Sequence, residues 1–276
     1  MELYSEIGTV PLTEEARIQT LSTLLPAGRA GMLRWPEKVD STFRELRVLA
    51  EAGAPAGSAV LAEKQTAGRG RLGRSFASPP GGLYLCYLLR PSEAPDALGE
   101  LTALTAVAVR RAVHKACGLA PEIKWVNDLM LEGKKLCGIL AEAVIREGKA
   151  ESVILGIGVN VETRMENFPP ELRETAVSLR QVMKTPPDRL RLAAAVLEEL
   201  DALARSFPAE RGEYLAQYRS ACLTVGKRVT LTDGTEGFAE GLGEDFSLLL
   251  RLGDGSLRQV RSGEASMHLE EVISNR

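Results

Sequence analysis

The sequence predicts an α+β chain in two parts, and three observations carry this. From about residue 40 to about 220, short apolar runs of strand texture are interleaved with longer segments of helical period. Beyond Cys222 the helical period stops, and short strand-like runs recur at roughly 10-residue spacing, which marks a small β-barrel or sandwich. The texture changes near 218–222, with no internal repeat or low-complexity tract on either side. The expected division is an N-terminal extension over 1–30, a larger unit over 31–220 and a small β unit over 221–276. A chain of 276 residues is long enough for both units to bury a core.

The elements follow in order. Thr13 caps a short helix through Glu14 and Glu15, and Ser41 or Thr42 caps another through Phe43, Leu46 and Leu49 to a stop at Gly53-Ala54-Pro55. A strand at Ala59–Ala62 leads into an arginine- and glycine-rich loop. Pro79-Pro80-Gly81-Gly82 is a turn before a central strand at Leu83–Leu89. Glu100 to Lys115 reads as a helix with Leu101, Leu104, Thr105, Ala108 and Ala112 on one face. A strand region from Ile123 to Leu131 is broken at Asn127-Asp128, and a hairpin turn follows at Glu132-Gly133-Lys134-Lys135. Strands are expected at Leu136–Ile145 and Ser152–Val161, then helices at Asp188–Ser206 and Glu210–Ala221. The last strands are expected at Val229–Leu231, Gly237–Leu242, Ser247–Leu252 and Leu257–Val260.

Composition excludes several classes. The net charge of −3 does not suit a protein that coats nucleic acid. No apolar run approaches the roughly 18 residues of a membrane span, and the first residues lack the basic and apolar regions of a secretory leader, so cytoplasm is the default. Four cysteines without a CxxC pair read as reduced small hydrophobes. His114 and His268 have no partner at catalytic or metal-ligand spacing and read as structural or surface residues.

Three stretches look like a site. The first is Gln65–Arg74, with three glycines and three arginines in the seven residues Gly68 to Arg74. Gly68-x-Gly70-x-x-Gly73 satisfies a dinucleotide-loop expression, but arginines between the glycines change its chemistry, and no Lys-Ser or Lys-Thr pair follows as in a P-loop. Guanidinium forks beside an approachable backbone suit a phosphate or carboxylate. The second is Lys124-Trp125-Val126-Asn127-Asp128 with Lys135-Leu136-Cys137-Gly138. Asn127 and Asp128 suit either a hairpin turn or a site, and lysine at a strand start is ordinarily a solvated edge charge. The third is Gly156-Ile157-Gly158-Val159-Asn160, where strand glycines, like Gly138, signal close approach of another backbone or a ligand.

In order and spacing these pieces, with Asp40-Ser41-Thr42, resemble the biotin protein ligases, from about Val39 to Val161, with a weaker echo at Val260–Glu264. The resemblance implies a mixed-sheet catalytic domain backed by helices, followed by an SH3-like barrel. It implies activation of biotin by ATP to biotinyl-5′-AMP, and transfer to a lysine of a biotin carboxyl carrier domain of a carboxylase, with Mg²⁺ present but no metal ligands assigned. Ser41, Thr42 and Gln65 would then bond the ureido head of biotin. Arg69 and Arg71 would hold carboxylate and phosphate, with Gly68 and Gly70 allowing the approach, and Lys135 would contact the carboxyl or acyl-phosphate oxygens. Asn127 and Asn160 would line the nucleotide side, and Asp128 would serve a metal or the loop. Arg74, Trp125 and Gly138 complete the expected binding residues. Phe43, Val126 and Phe76 stand where Asn, Pro and Trp are common in the family; Phe76 keeps an aromatic face.

The resemblance further implies no N-terminal DNA-binding domain and hence no repressor role, and it is compatible with a homodimer. A lipoate or octanoate transferase shares the scaffold, but its pocket has no ureido group for Gln65 to bond. A non-catalytic module binding nucleotide through the basic loop is disfavoured by the acidic total charge. The glycines of the loop predict mobility without ligand. Elevated B-factors over 68–74 in a ligand-free crystal, away from lattice contacts, are the expected result; uniformly low ones contradict it.

Overall fold

The computed structural model describes residues 13–90, 100–146, 149–185, 187–207, 209–261, 263 and 265–267. His268 therefore lies outside the described residues, as does much of the N-terminal extension. The helices are α1 (Glu14–Ser22), α2 (Thr42–Glu51), α3 (Leu101–Cys117), α4 (Leu179–Val182), α5 (Arg189–Ser206) and α6 (Arg211–Ala221). The strands of the larger part are β1 (Leu33–Arg34), β2 (Lys38–Val39), β3 (Ala59–Ala62), β4 (Lys64–Gln65), β5 (Gly82–Leu89), β6 (Glu122–Lys124), β7 (Asp128–Leu131), β8 (Lys134–Arg146) and β9 (Lys149–Asn160). Those of the smaller part are β10 (Arg228–Leu231), β11 (Glu236–Leu242), β12 (Leu248–Arg251), β13 (Leu257–Val260) and β14 (Ala265–Met267).

Seven strands form one mixed sheet in the order β1-β3-β5-β9-β8-β7-β6, with β1 and β3 parallel and the other pairs antiparallel. Strand alternation sends successive side chains of β5 to opposite faces. Leu83, Leu85, Tyr87 and Leu89 join the main core with α3 and α5, while Cys86 and Leu88 face α2 with Phe43, Leu46 and Ala50. Both faces are thus covered, which explains why β5 reads as one unbroken apolar run.

α2 forms because Phe43, Leu46 and Ala50 fall on one face at helical spacing. It stops where Gly53 turns the chain at φ +89°. α5 starts where the Asp188 carboxylate accepts the Arg191 amide at 3.0 Å. The parallel pair β2 and β4 sets Val39 opposite Gln65, and so brings the start of α2 beside the arginine loop.

The smaller part is one antiparallel sheet, β13-β12-β11-β10-β14. The expected fold class stands: a mixed sheet backed by helices, followed by a small SH3-like β unit. Four short strands were not predicted: β1, β2, β4 and β14, of two or three residues each, carry no readable period. The single broken strand expected over 123–131 is a hairpin, with Lys124 paired to Asp128 across a turn, and the peptide between Trp125 and Val126 is cis.

The smaller sheet is fastened to the edge of the larger one. Trp125 donates its amide to the Thr224 hydroxyl at 2.9 Å and its indole N–H to the Phe246 carbonyl at 2.9 Å. Leu223 donates to the Ile123 carbonyl at 3.0 Å. Phe246 is 2% exposed, sits edge-on to Tyr218 at 5.5 Å and belongs to the same buried cluster as α3 and α5. Removing this ring leaves a cavity in a core shared by both parts. Phe246→Ala is expected to cost about 3–5 kcal/mol and to lower the stability of both parts together, read as one shifted transition in thermal unfolding; an unchanged midpoint would contradict it.

Candidate functional site

The site lies on the α2 face of the large sheet, at the N-terminal start of α2. Register explains why there is room. A row of partners runs Tyr84, Gly158, Gly138, Asp128 across β5, β9, β8 and β7, and the next row runs Cys86, Gly156, Leu140. Three of the seven positions are glycine, so the sheet itself forms a floor there. The cavity above it measures about 240 Å³, below the roughly 300 Å³ at which ligand pockets usually begin. Side chains of its own walls, Arg69 and Phe76 among them, project over the floor.

The neutral end is built by α2, β4 and the strand floor. Thr42 donates both its amide, at 2.9 Å, and its hydroxyl, at 3.0 Å, to the Gln65 side-chain oxygen. Gln65 donates from Nε2 to the Ser78 hydroxyl at 2.8 Å. The Ser41 hydroxyl is buried and has no partner among the described residues. Cys86 Sγ lies 3.2 Å from the Thr42 hydroxyl, and burial pushes its thiol up to about 12, so it is a neutral S–H at ordinary pH.

The cationic end is built by the loop and by β7 and β8. The loop is a small hairpin: Gly70 donates to the Arg74 carbonyl at 2.8 Å, Phe76 to the Gly68 carbonyl at 2.9 Å, and the tip is a 3₁₀ turn over Arg71–Gly73. Arg69 stacks over the Phe43 ring at 5.1 Å and pairs with Glu142 at 3.0 Å. Arg71 donates to the Asn127 side-chain oxygen at 3.0 Å, and Asn127 is itself held by the Ile139 carbonyl at 3.0 Å. Lys135 pairs with Asp128 at 2.8 Å and lies 5.9 Å from the Phe76 ring centre. Arg69, Arg71 and Lys135 thus each have a local partner.

The structure brings Ser41, Thr42, Phe43, Gln65, Arg69, Gly70, Arg71, Arg74, Phe76, Trp125, Asn127, Asp128, Lys135 and Gly138 to one cavity. Two expected residues lie behind it. Asn160 is 3% exposed, and its side chain donates to the carbonyls of Val177 at 3.1 Å and Lys135 at 3.3 Å, so it holds the backbone of Lys135 rather than lining a nucleotide side. Gly68 has no room for a side chain because the Phe76 carbonyl and the Ser78 hydroxyl occupy that space, so its bareness serves the loop's own packing. Among the described residues no cluster of three His, Cys, Asp or Glu is placed to hold a metal, and His114 is exposed, in keeping with its surface reading.

Sequence reasoning singled out the stretch that carries Lys124 but missed Cys86 and, from the smaller sheet, Ala265 and Ser266 as wall residues. Cys86 sits in an ordinary apolar run, and the strand carrying Ala265 and Ser266 is too short to be read. The strand glycines were expected to admit a ligand or another backbone. Instead a Cβ on Gly138 would come within 2.8 Å of the Phe76 ring, and one on Gly158 would overlap it. The paired glycines make a slot for that ring, which also meets Tyr84 edge-on at 6.5 Å.

Neutral hydrogen-bonding groups together with arginine and lysine in one pocket suit a ligand that carries both a polar neutral group and an anionic group. The comparisons agree with that class. The sequence pattern of the biotin/lipoate A/B protein ligase family matches residues 35–160. The biotin–[acetyl-CoA-carboxylase] ligase of Mycobacterium tuberculosis is 34% identical over 239 residues, covering 83% of this chain and 86% of that protein. The bifunctional ligase/repressor BirA of Bacillus subtilis is 33% identical over 240 residues, covering 85% and 74%. The solved structure of the Aquifex aeolicus biotin protein ligase in complex with biotin and ATP superposes with a TM-score of 0.73 at 31% identity, covering 86% of this chain and 98% of that one. The chain belongs to the biotin/lipoate A/B protein ligase family. Within it, it is one of the biotin protein ligases.

The aromatic slot has a testable consequence. Gly158→Ala overpacks it and is expected to cost about 1–3 kcal/mol, read as a lower urea midpoint. In a Phe76→Ala background the same change is expected to cost little. Equal penalties in the two backgrounds would mean that the ring does not fill the slot.

Proposed function

We infer that the protein is a biotin–[biotin carboxyl carrier protein] ligase. It joins biotin to ATP, giving biotinyl-5′-AMP and pyrophosphate, and transfers the biotinyl group to a specific lysine of the carrier. The observation that carries the reading is one pocket lined both by the neutral polar groups of Ser41, Thr42 and Gln65 and by the cations Arg69, Arg71 and Lys135.

The chemistry accounts for that layout. In the first step the biotin carboxylate attacks the α-phosphate and pyrophosphate leaves, so two anions must meet. Arg69 and Arg71 would offset their repulsion and Lys135 would stabilise charge on the oxygens around phosphorus. No nucleophilic side chain is required, because the reaction depends on positioning and charge. In the second step the carrier lysine attacks the mixed anhydride and AMP leaves, with Lys135 placed to stabilise the developing oxyanion. The ion pair of Lys135 with Asp128 would open as ligand oxygens replace the carboxylate. The hairpin over 68–74, folded across the bound adenylate, would limit its hydrolysis.

Mg²⁺ belongs to this reading. Asp128 is the carboxylate among the described wall residues, and a lone carboxylate with substrate phosphates suits Mg²⁺, which would neutralise phosphate charge. Residues 31–220 are taken as the catalytic unit, 1–30 as an extension and 221–276 as the barrel unit. The net charge of −3 supports a protein that does not depend on DNA. No helix among the described residues is long and apolar enough to cross a membrane. A cytoplasmic setting and a homodimer are compatible with the reading.

Labelled biotin, ATP, Mg²⁺ and a biotin carboxyl carrier domain are expected to give labelled carrier. A titration in which lipoate binds and biotin does not would overturn the reading. Lys135→Ala is expected to slow ATP–pyrophosphate exchange, and Arg71→Ala to weaken adenylate retention. Each loses a charge-assisted bond of about 1.5–3 kcal/mol, or roughly 10- to 150-fold. Wild-type exchange in Lys135→Ala would remove that residue from the chemistry.

A further inference from the structure

Ser78 is outside the pocket wall and 6% exposed, yet it ends a hydrogen-bond chain whose every proton can be assigned. The Thr42 backbone N–H can only donate, and it donates to Gln65. The Gln65 side-chain oxygen therefore faces Thr42, where the Thr42 hydroxyl takes its second lone pair. The amide nitrogen then faces Ser78 and donates to its hydroxyl at 2.8 Å, and Ser78 passes its own hydrogen to the Phe76 carbonyl at 3.0 Å. The main chain adds a tie, with Gln65 N–H on the Ser78 carbonyl at 3.2 Å. Gln65 has spent both acceptor positions and one N–H; what it has left for a ligand is the other N–H.

We propose that Ser78 is a positioning residue for the neutral end of the pocket: it locks the Gln65 amide as a hydrogen-bond donor, so that this end selects a ligand head bearing a carbonyl-type acceptor. The chain continues to the backbone of Phe76, so the same serine ties the head-group end to the residue whose ring fills the glycine slot near Lys135. Combined with the proposed function, on which this inference rests, the acceptor is the ureido oxygen of biotin.

The test is biotin-dependent ATP–pyrophosphate exchange in wild type, Ser78→Ala and Ser78→Thr, with biotin and with 2-iminobiotin. The latter replaces the ureido oxygen by a protonated imine that can only donate. Ser78→Ala is expected to raise the KM for biotin about five- to tenfold, the scale of one hydrogen bond, with kcat and the KM for ATP within twofold of wild type. Ser78→Thr, which keeps the hydroxyl, is expected to restore the biotin KM. Wild type is expected to prefer biotin over 2-iminobiotin, and Ser78→Ala to lose part of that preference. An unchanged biotin KM in Ser78→Ala overturns the proposal, as does a fall in kcat at unchanged KM, or failure of threonine to restore KM in a variant with wild-type melting temperature. If Ser78→Ala does not fold, equal use of biotin and 2-iminobiotin by wild type overturns it. Absence of any biotin-dependent exchange in wild type removes the functional reading and this inference together, whereas normal wild-type exchange with an unresponsive Ser78→Ala removes this inference alone.

Discussion

The site depends on one constraint, the lack of side chains at three neighbouring positions on a sheet that is buried on both faces. Gly138, Gly156 and Gly158 lie side by side on β8 and β9, while the alternate positions Ile139, Leu155, Ile157 and Val159 pack into the main core. An apolar side chain at those three places would continue the second core under α2 and close the trough. Strand glycine forgoes packing and backbone entropy. Here the loss is offset by the opposite face, where α3 and α5 cover the same strands with leucine, valine and alanine. The trough can be bare because the other side of the strands is so well anchored.

The second feature is the way charge is stored. Arg69, Arg71 and Lys135 converge on one cavity, and like charges gathered without partners would repel and be poorly solvated. Each is instead tied to a neighbour that is partly exposed or neutral: Glu142, Asn127 and Asp128. Such contacts bind weakly in water-accessible surroundings. The positive charge is therefore held in place and remains exchangeable when anionic oxygens arrive. The neutral end follows the opposite rule. Thr42 and Ser78 are buried, Gln65 is half-buried, and the Thr42 amide sets the direction of the hydrogen bonds that join them, which makes this end rigid and selective.

Much of this was legible in the sequence. β5, β8 and β9 and helices α2, α3, α5 and α6 are long enough for their period to show, and their observed limits fall within a few residues of those read from the pattern. The arginine loop, the Asn127-Asp128 break and the strand glycines stood out because each is costly unless something requires it. The rest needed three dimensions. β1, β2 and β14 are too short for any period, yet β2 sets Thr42 beside Gln65, and β14 supplies part of the wall. Ser78 looks like part of an ordinary turn, and Cys86 like one more apolar residue. Their roles come from register, which cannot be read along one strand. The glycine pair was noticed for the right reason, but only the fold shows that the close approach is made by Phe76.

The wall residues Ala265 and Ser266 lie on a strand that completes the smaller sheet by pairing with β10, which follows the larger domain in the chain. The pocket is therefore closed by almost the last described residues, although most of its chemistry is in place by residue 158. During synthesis the chain emerges from its N-terminal end, and the arginine loop, the glycine floor and Lys135 leave the ribosome more than a hundred residues before Ser266. Completion of the wall therefore couples the arginine loop and the glycine floor to the packing of the smaller sheet.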